Sequence, residues 1–443
     1  MGSILAIVGR PNVGKSTLFN RLVGFNKAIV DDMPGVTRDR NYAQLTLKDT
    51  TATLIDTGGF EPESSLGIPA LIRSQTLLAI EEADLTILLV DGKSGLNPLD
   101  YELIDILRRS DHPFLLVVNK IDGPELEYNL ADFYSLGIEP VLPLSAAHGY
   151  GIHDFLDTLD EMLPSGEEAP VNEDLIRVSV IGRPNVGKSS LINRLIGQER
   201  ILVSETPGTT RDPVDITIER DGRQFMFVDT AGIRRKGRVS FKIEKFAIVR
   251  ALKSLERSDI ALLLIDSVEG LTDQDAHVAG YALERGRGLI LLFNKWDLVE
   301  DRRTRQLEIR KQLELKLRFL SYAPYLTASA KTGLRVEKIF KALEQVFSQY
   351  TARVTTGQLN RVLEKTLKAH PPPYVGRRRL KFYYATQAKS RPPTFVLFVN
   401  QPGKVHFSYE RYLANSFRQA FGLDKTSIKL IFRPRQNRRK GKE

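Results

Sequence analysis

Two identical eight-residue segments carry the clearest chemistry in the chain. Each reads Gly-Arg-Pro-Asn-Val-Gly-Lys-Ser, follows a short apolar run and precedes a stretch with helical periodicity. Between a strand and a helix, the N–H groups of such a loop wrap a β-phosphate, the Lys charges the β- and γ-phosphate positions, and the Ser hydroxyl reaches Mg²⁺. The predicted phosphate-binding residues are Gly9, Arg10, Pro11, Asn12, Val13, Gly14, Lys15 and Ser16, and Gly182, Arg183, Pro184, Asn185, Val186, Gly187, Lys188 and Ser189.

A threonine and an aspartate follow each loop at matching distances. A Thr hydroxyl in a Pro-Gly-x-Thr-Arg-Asp segment can close on Mg²⁺ and a γ-phosphate, although an ordinary turn Thr is the alternative. An Asp-x-x-Gly motif then places a Mg²⁺-holding acid at a strand end and a bare N–H near the γ-phosphate. The predicted Mg²⁺ ligands are Ser16, Thr37, Asp56, Ser189, Thr210 and Asp229. The other predicted nucleotide-binding residues here are Thr57, Gly58, Gly59, Phe60, Thr230, Ala231, Gly232 and Ile233.

A third pair of motifs selects the base. An Asn-Lys-x-Asp motif follows an apolar strand in each copy, and its carboxylate can accept both N1–H and the 2-amino group of guanine. Adenine presents no such pair of donors, so the motif predicts GTP. A Ser-Ala dipeptide at the next strand end brings N–H groups towards the guanine oxygen. The residues are Asn119, Lys120, Ile121, Asp122, Ser145 and Ala146, and Asn294, Lys295, Trp296, Asp297, Ser329 and Ala330.

These motifs require two copies of one domain. Lys15 and Lys188 are 173 residues apart, as are Thr37 and Thr210. Each copy alternates helical patterns with short, almost wholly apolar runs, typical of parallel strands buried on both faces. We therefore predict two tandem α/β P-loop domains with doubly wound, mainly parallel sheets. The predicted strands are 4–8, 52–55, 85–90, 114–118 and 140–144, then 177–181, 224–228, 260–265, 289–293 and 325–327.

The last fifth of the chain differs in charge. Residues 351–443 hold 21 Lys and Arg against 4 Asp and Glu, whereas the whole chain has a net charge of +10. This asymmetry predicts a polyanionic partner for one small α+β domain. Its predicted elements are helices at 359–367 and 409–421 and strands at 380–385, 394–399 and 427–432. The predicted boundaries are a GTPase domain at 1–162, an acidic linker at 163–175, a second GTPase domain at 176–350, the basic domain at 351–432 and a basic tail at 433–443.

Composition excludes several function classes. The chain has no Cys, which rules out disulfides, thiolate metal sites and a Cys nucleophile. Its six His lack ligand-like spacing, and no apolar run has the length of a membrane span. The N-terminus shows neither a secretory nor a myristoylation pattern. We expect a cytoplasmic monomer.

The whole chain resembles the EngA (Der) family of bacterial GTPases. The resemblance rests on both phosphate loops, both Pro-Gly-x-Thr-Arg-Asp segments, and the C-terminal run from His370 through Arg377 to Asn400. It implies GTP hydrolysis, a KH-like third domain that packs against the GTPase domains, and a role in assembly of the large ribosomal subunit. It therefore implies GTP, GDP, rRNA and the large subunit as partners.

The chain lacks a residue that many small GTPases use in hydrolysis. Many small GTPases place a water-orienting Gln after Asp-x-x-Gly, but here Phe60 and Ile233 stand there, which predicts slow intrinsic turnover. In GTPases similar to this one, a phosphate-loop Asn helps to hold a K⁺ ion that stabilises charge. Asn12 and Asn185 are expected to do so, unless they merely brace their loops. The predicted catalytic residues are Asn12, Lys15, Thr37, Asn185, Lys188 and Thr210.

The basic domain is expected to bind structured rRNA or a ribosomal surface through phosphates. Its sequence contains no Gly-x-x-Gly, the loop with which KH domains clamp single strands. Aromatic residues lie between its basic residues, and we expect most of them to form core: Tyr383, Tyr384, Phe395, Phe398 and Phe407.

Two other functions agree less well with the sequence. An RNA-modifying or metabolic enzyme regulated by GTP would need further catalytic groups, which the sequence does not show. A membrane-associated GTPase would need an anchor or an amphipathic surface helix. A GTP-driven switch is therefore the favoured function.

Overall fold

The computed structural model describes residues 3–25, 42–47, 50–57, 77, 83–110, 112–163, 174–197, 201–202, 215–230, 251–375 and 378–434. The chain divides into two compact units, Met1–Val171 and Asn172–Glu443. The first unit holds one phosphate loop. The second holds the other loop together with the basic C-terminal region.

The first unit is a six-stranded sheet with helices. Its strands are β1 (Ser3–Val8), β2 (Tyr42–Thr46), β3 (Thr51–Asp56), β4 (Leu85–Asp91), β5 (Phe114–Asn119) and β6 (Val141–Leu144). Its helices are Lys15–Phe25, Pro98–Arg109, Ala131–Tyr134 and Ile152–Met162, with a 3-10 helix at Pro124–Leu130. The order is β2-β3-β1-β4-β5-β6, and only the β2–β3 pair is antiparallel. Strands β1 and β4 are buried along their whole length, as expected for strands covered on both faces.

The second unit begins with a seven-stranded sheet of the same design. Its strands are β7 (Leu175–Ile181), β8 (Ile201–Leu202), β9 (Ile216–Arg220), β10 (Arg223–Val228), β11 (Ile260–Asp266), β12 (Gly288–Asn294) and β13 (Tyr325–Thr327). Its helices include Lys188–Ile196, Asp273–Glu284, Arg302–Lys316 and Glu337–Tyr350, with 3-10 helices at Trp296–Leu298 and Arg318–Leu320. The order is β13-β12-β11-β7-β10-β9-β8, and only the two pairs made by β9 are antiparallel.

The predicted fold class is confirmed. Every predicted strand of the two sheets is present and ends within two residues of its expected bounds. The antiparallel strands β2, β8 and β9 were not predicted, because they lie towards sheet edges and lack a continuous apolar run. The helix Arg302–Lys316 is followed closely by the 3-10 helix Arg318–Leu320.

The C-terminal part is a small α+β layer. Its helices are Thr356–Ala369 and Phe407–Phe421, with a 3-10 helix at Pro402–Lys404. Its strands are β16 (Phe382–Ser390), β17 (Pro393–Val399) and β18 (Lys429–Pro434), preceded by a short pair, β14 (Tyr374–Val375) with β15 (Arg378–Arg379). Strand β17 pairs antiparallel with β16 and parallel with β18. The expected helices and strands are present, whereas the short pair was not predicted.

The expectation that most aromatics of this domain form core needs correction. Phe395 is fully buried, but Tyr383, Tyr384 and Phe407 are each more than one-third exposed. The ladder of β16 shifts register between Phe382 and Tyr384, so the alternation of inward and outward side chains breaks there.

This domain packs against the second GTPase fold at the amino end of β12. The Ser427 hydroxyl donates to the carbonyl oxygen of Gly286 at 3.2 Å. A Cβ built on Gly286 would lie 2.9 Å from Pro392, which shows how closely the two segments of the chain approach each other. The Gln349 amide donates to Asp424 at 2.7 Å, so the last helix of the GTPase fold also joins the contact. The contact lies at the opposite end of the strand from the phosphate loop.

Candidate guanine-nucleotide sites

The two phosphate loops share an unusual backbone. Asn12 and Asn185 have φ of 66° and 64°, and Gly14 and Gly187 have φ of 100° and 99°. Left-handed conformations are costly for most residues and least so for Gly and Asn. A Cβ on Gly14 would also overlap the side-chain amide nitrogen of Asn119. The Gly and Asn of the motif are therefore required by backbone geometry as well as by chemistry.

Each loop lysine lies across its own loop. Lys15 Nζ donates to the carbonyl oxygens of Gly9 and Arg10 at 2.8 and 2.9 Å. Lys188 Nζ repeats this with Gly182 and Arg183 at 2.8 and 2.7 Å. Burial lowers the pKa of Lys188 to about 8. An ammonium held at the loop mouth can place its charge on a phosphate without a large rearrangement.

The first copy brings two predicted Mg²⁺ ligands together. The Ser16 hydroxyl donates to Asp56 Oδ2 at 2.7 Å. The neighbouring Thr57 hydroxyl donates to the carbonyl oxygen of Ile7 at 2.6 Å, which fixes the end of β3. A hydroxyl and a carboxylate are oxygen ligands of the kind that Mg²⁺ prefers, so these residues fit that ion. Bound there, Mg²⁺ would neutralise charge on the phosphates.

The second copy differs at the corresponding aspartate. Strand β10 ends at Val228, and Asp229 has φ of 54°. The N–H of Asp229 donates to Asp215 Oδ1 at 3.0 Å, and Asp215 forms an ion pair with Arg257 at 2.5 Å. The two Mg²⁺-ligand sets are therefore not equivalent in their local backbone.

The Asn of each base motif links three motifs. Asn119 Nδ2 donates to the Val13 carbonyl oxygen at 2.7 Å, and its Oδ1 accepts from the Ala146 N–H at 2.9 Å. Asn294 makes the same pair of bonds with Val186 and Ala330, at 2.8 and 2.9 Å. Both Asn residues are buried. They hold the phosphate loop against the segment predicted to face guanine.

The lysine of the base motif has a defined partner. Lys120 Nζ donates to Asp91 Oδ2 at 2.6 Å and to the Asn12 carbonyl oxygen at 2.9 Å. Lys295 pairs with Asp266 at 2.6 Å in the second copy. Burial acts to raise the pKa of Asp91, but the hydrogen bond from Lys120 and the backbone donors outweigh it and lower the pKa.

The carboxylates predicted to select guanine have different surroundings. Asp122 accepts from Ser145 at 2.8 Å and pairs with Lys93 at 2.7 Å. Asp297 Oδ1 is buried and accepts no hydrogen bond from any residue that the structure describes. Ile121 and Trp296, between Lys and Asp in each motif, are fully buried, so their side chains serve the core.

Sequence reasoning missed the aspartate partners of the two loop arginines. Arg10 pairs with buried Asp100 at 3.1 Å, and Arg183 pairs with buried Asp275 at 3.2 Å. Each Asp also closes the capping box that begins its helix, with Asn97 or Thr272 as the cap. These ion pairs recur in both copies, so the repeat itself held a signal for them.

Further contacts support the segments predicted to face guanine. The Arg21 guanidinium donates to the carbonyl oxygens of Ala146 and Ala147, and the Arg194 guanidinium does so to Ala330 and Lys331. The predicted residues that lie outside the described part of the chain are Thr37, Gly58, Gly59, Phe60, Thr210, Ala231, Gly232 and Ile233.

Comparison with known proteins supports these domains. A family model described as a 50S ribosome-binding GTPase matches residues 4–120 and again 177–295. A model described as the KH-domain-like C-terminal domain of EngA bacterial GTPase enzymes matches residues 353–433. The fold and sites therefore define a tandem GTPase with two P-loop domains and a KH-like domain, an enzyme that hydrolyses GTP.

Relatives that match over their full length identify the family of the chain. It is 54% identical over 439 residues to GTPase Der of Syntrophobacter fumaroxidans, covering 98% of each chain. It is 48% identical over 441 residues to GTPase Der of Geotalea daltonii, covering 100% of each. The chain belongs to the GTPase Der family, also called EngA. That family implies a Mg²⁺ requirement.

A solved structure is also similar, at a lower level. The G domain of the T. maritima FeoB iron transporter is 26% identical over 39% of this chain and 98% of its own, with a TM-score of 0.27. This likeness adds nothing to the assignment. None of the helices in the described part of the chain has the length and apolar character that crossing a membrane requires.

Proposed function

We propose that this GTPase acts as a switch in assembly of the large ribosomal subunit. The main support is that the basic KH-like domain presents cations beside exposed aromatic rings. This domain also packs against the second GTPase fold. Nucleotide state at the two sites would change the segments that carry Thr37 and Thr210 and so the RNA-binding surface. The work would take place in the cytoplasm, with the protein as a monomer.

The proposed RNA contact is a surface that we call the tyrosine face. It consists of Tyr374, Tyr383 and Tyr384 with Arg379 and Lys381. The three tyrosines are 70%, 37% and 42% exposed. The Arg379 guanidinium lies 5.6 Å from the ring centre of Tyr374, and the Lys381 ammonium lies 5.6 Å from that of Tyr383. Exposed rings flanked by cations suit unpaired bases and phosphates of RNA.

One ring pair strengthens this choice. Tyr384 and Phe398 stack with ring centres 4.3 Å apart and an interplanar angle of 17°. Such a stack is a ready platform for a further planar ring. It offers an RNA contact that does not depend on the Gly-x-x-Gly loop.

We assign to the nucleotide sites the residue roles predicted from sequence. Ser16, Thr37 and Asp56, with Ser189, Thr210 and Asp229, would hold Mg²⁺. Asn12, Lys15, Thr37, Asn185, Lys188 and Thr210 would act in hydrolysis. The domain bounds would be 1–162, 176–350 and 351–432, with the linker and tail at 163–175 and 433–443.

The surroundings of the phosphate-loop asparagines support binding of a K⁺ ion rather than bracing of the loop. The side chains of Asn12 and Asn185 are exposed, and neither makes a hydrogen bond to a residue in the described ranges. An oxygen that is held by a left-handed backbone and has no hydrogen bond to the described residues can ligate a monovalent cation. Slow turnover is expected, because Phe60 and Ile233 cannot orient water.

Co-sedimentation with purified ribosomal subunits tests this function. The full chain should sediment with large subunits in a non-hydrolysable GTP analogue or in GDP, and differently in the two. The double variant Tyr383→Ser and Tyr384→Ser should weaken binding by about tenfold, since stacking contributes ~1–3 kcal/mol per base. Phe407→Ser is the control, because Phe407 is equally exposed but outside the tyrosine face. Absence of sedimentation in both nucleotides at low salt would overturn the proposal.

A further inference from the structure

The two GTPase copies differ at one side chain beside the guanine-selecting carboxylate. Lys93 Nζ lies 2.7 Å from Asp122 Oδ2. The same position in the second copy is Val268, two residues after Asp266 as Lys93 is two after Asp91. The Lys93 and Val268 N–H groups donate to those Asp residues at 3.0 and 2.8 Å. The backbone is therefore placed alike, and only the side chain has changed.

The strand register puts this position next to the base motif in both copies. Asp91 pairs with Asn119 across β4 and β5, and Asp266 pairs with Asn294 across β11 and β12. A long side chain at the position of Lys93 can therefore reach the aspartate that ends the neighbouring motif. Valine cannot, and Val268 is 54% exposed.

This difference affects how many further hydrogen bonds the carboxylate of the base motif can accept. Both oxygens of Asp122 are engaged, Oδ1 by Ser145 and Oδ2 by Lys93. The hydrogen bonds from Lys93 and Ser145 hold the pKa of this carboxyl below its ordinary value. In the second copy, Asp297 Oδ1 accepts no hydrogen bond from the described residues. A guanine that donates through N1–H and its 2-amino group meets a carboxylate with both oxygens engaged at the first site, whereas at the second site Val268 cannot engage Asp297 as Lys93 engages Asp122.

We propose that Lys93 is an affinity-setting residue, which competes with guanine for Asp122 and makes the first site bind guanine nucleotides more weakly than the second. The proposal rests on the function proposed for Asp122 and Asp297 as guanine acceptors. The ion pair is partly exposed, with Lys93 and Asp122 side chains 56% and 27% accessible, so its effect is moderate. Exposed pairs of this kind correspond to about a two- to fivefold change in affinity.

A side-chain exchange between the copies tests it. GDP binding at each site is measured by titration while the other site is inactivated by mutation. The first site is measured in a Lys188→Ala background and the second in a Lys15→Ala background. Lys93→Val should tighten GDP binding at the first site by about two- to fivefold, and Val268→Lys should weaken it at the second by a similar factor. The gain from Lys93→Val should shrink as NaCl is raised, because salt screens the pair that it removes.

Controls separate this inference from the function on which it rests. Lys93→Arg keeps the charge and should bind GDP as the unchanged chain does. Unchanged or weaker GDP binding in Lys93→Val would overturn the competition. Failure of either unaltered site to bind GDP at all would instead overturn the guanine sites themselves. Melting temperatures of all variants, compared with the parent backgrounds, confirm that the fold is retained.

Discussion

Asn119 and Val13, 106 residues apart in sequence, are joined by a buried hydrogen bond of 2.7 Å. The bond ties the motif that follows β5 to the loop that follows β1. The same bond joins Asn294 to Val186 at 2.8 Å. The base-selecting motif thus also fixes the shape of the phosphate loop.

Asn119→Ala should therefore weaken nucleotide binding at the first site through the loop. Removing the side chain leaves the Val13 carbonyl and the Ala146 N–H without partners, at a cost of ~1–3 kcal/mol. We expect a loss of GDP affinity of about tenfold or more, measured with the second site closed. Asn360→Ala is a matched control, because Asn360 makes the same two kinds of bond with Ala385, both at 2.8 Å, in the KH-like domain. It should lower the melting temperature and leave GDP affinity unchanged.

Gly14→Ala should close the first site. The new Cβ would meet the Asn119 amide, and alanine would be strained at a φ of 100°. GDP titration should show no binding at this site while the second site binds normally. Gly24→Ala is the control: Gly24 lies in the helix Lys15–Phe25, where a Cβ would meet no atom within 4 Å. That change should stabilise the helix by ~0.5–1 kcal/mol and leave binding intact.

Exchange of potassium for sodium tests the role of Asn12 and Asn185. Turnover of GTP should fall by about tenfold in NaCl compared with KCl at equal ionic strength, equivalent to ~1.4 kcal/mol of transition-state stabilisation. The double variant Asn12→Ala and Asn185→Ala should show no difference between the two salts. Equal rates for the unaltered chain in both salts would contradict the cation role.

The buried lysine of the second loop predicts a pH dependence. The pKa of Lys188 is about 8 in the folded protein against an ordinary 10.5, because burial disfavours the ammonium. The unfolded chain binds more protons between these values, so this group's contribution to stability rises with pH across that window. Phosphate favours the ammonium, so GDP binding at the second site should take up a proton above pH 8.

The affinity of the second site for GDP should therefore fall above pH 8, approaching tenfold per pH unit. Titration between pH 7 and 9 with the first site closed measures this. The comparison is Lys188→Arg, whose guanidinium stays charged over the range. A flat profile for the unaltered second site would contradict the predicted proton uptake.

Residue types and spacing were enough to predict the parallel strands of both sheets, and they also yield the proposal for the groups around each phosphate. Lys15, Asp56 and Asn119 belong to local motifs whose geometry is fixed by a strand end and a tight turn. The pairs Arg10–Asp100 and Lys93–Asp122 could not be read locally, because each joins residues from different strand ends. Their partners become neighbours only when β1, β4 and β5 are placed side by side.

The KH-like domain was harder to predict for another reason. Alternation along 382–390 predicts which side chains face inward, but a register shift after Phe382 places Tyr383 and Tyr384 both outward. A bulge leaves no mark in an apolar pattern. The surface proposed to touch RNA therefore became visible only in the structure.

Strand β12 sets the distance between the phosphate loop of the second site and the contact with the KH-like domain. At its far end, Asn294 holds the phosphate loop of the second site, and just before Gly288 the backbone of Gly286 receives Ser427 of the KH-like domain. The seven residues of this strand separate the two contacts by about 20 Å. Insertion or loss of one residue would turn every side chain to the opposite face and move one contact out of reach. The length of this strand is thus constrained from both ends, by the nucleotide and by the neighbouring domain.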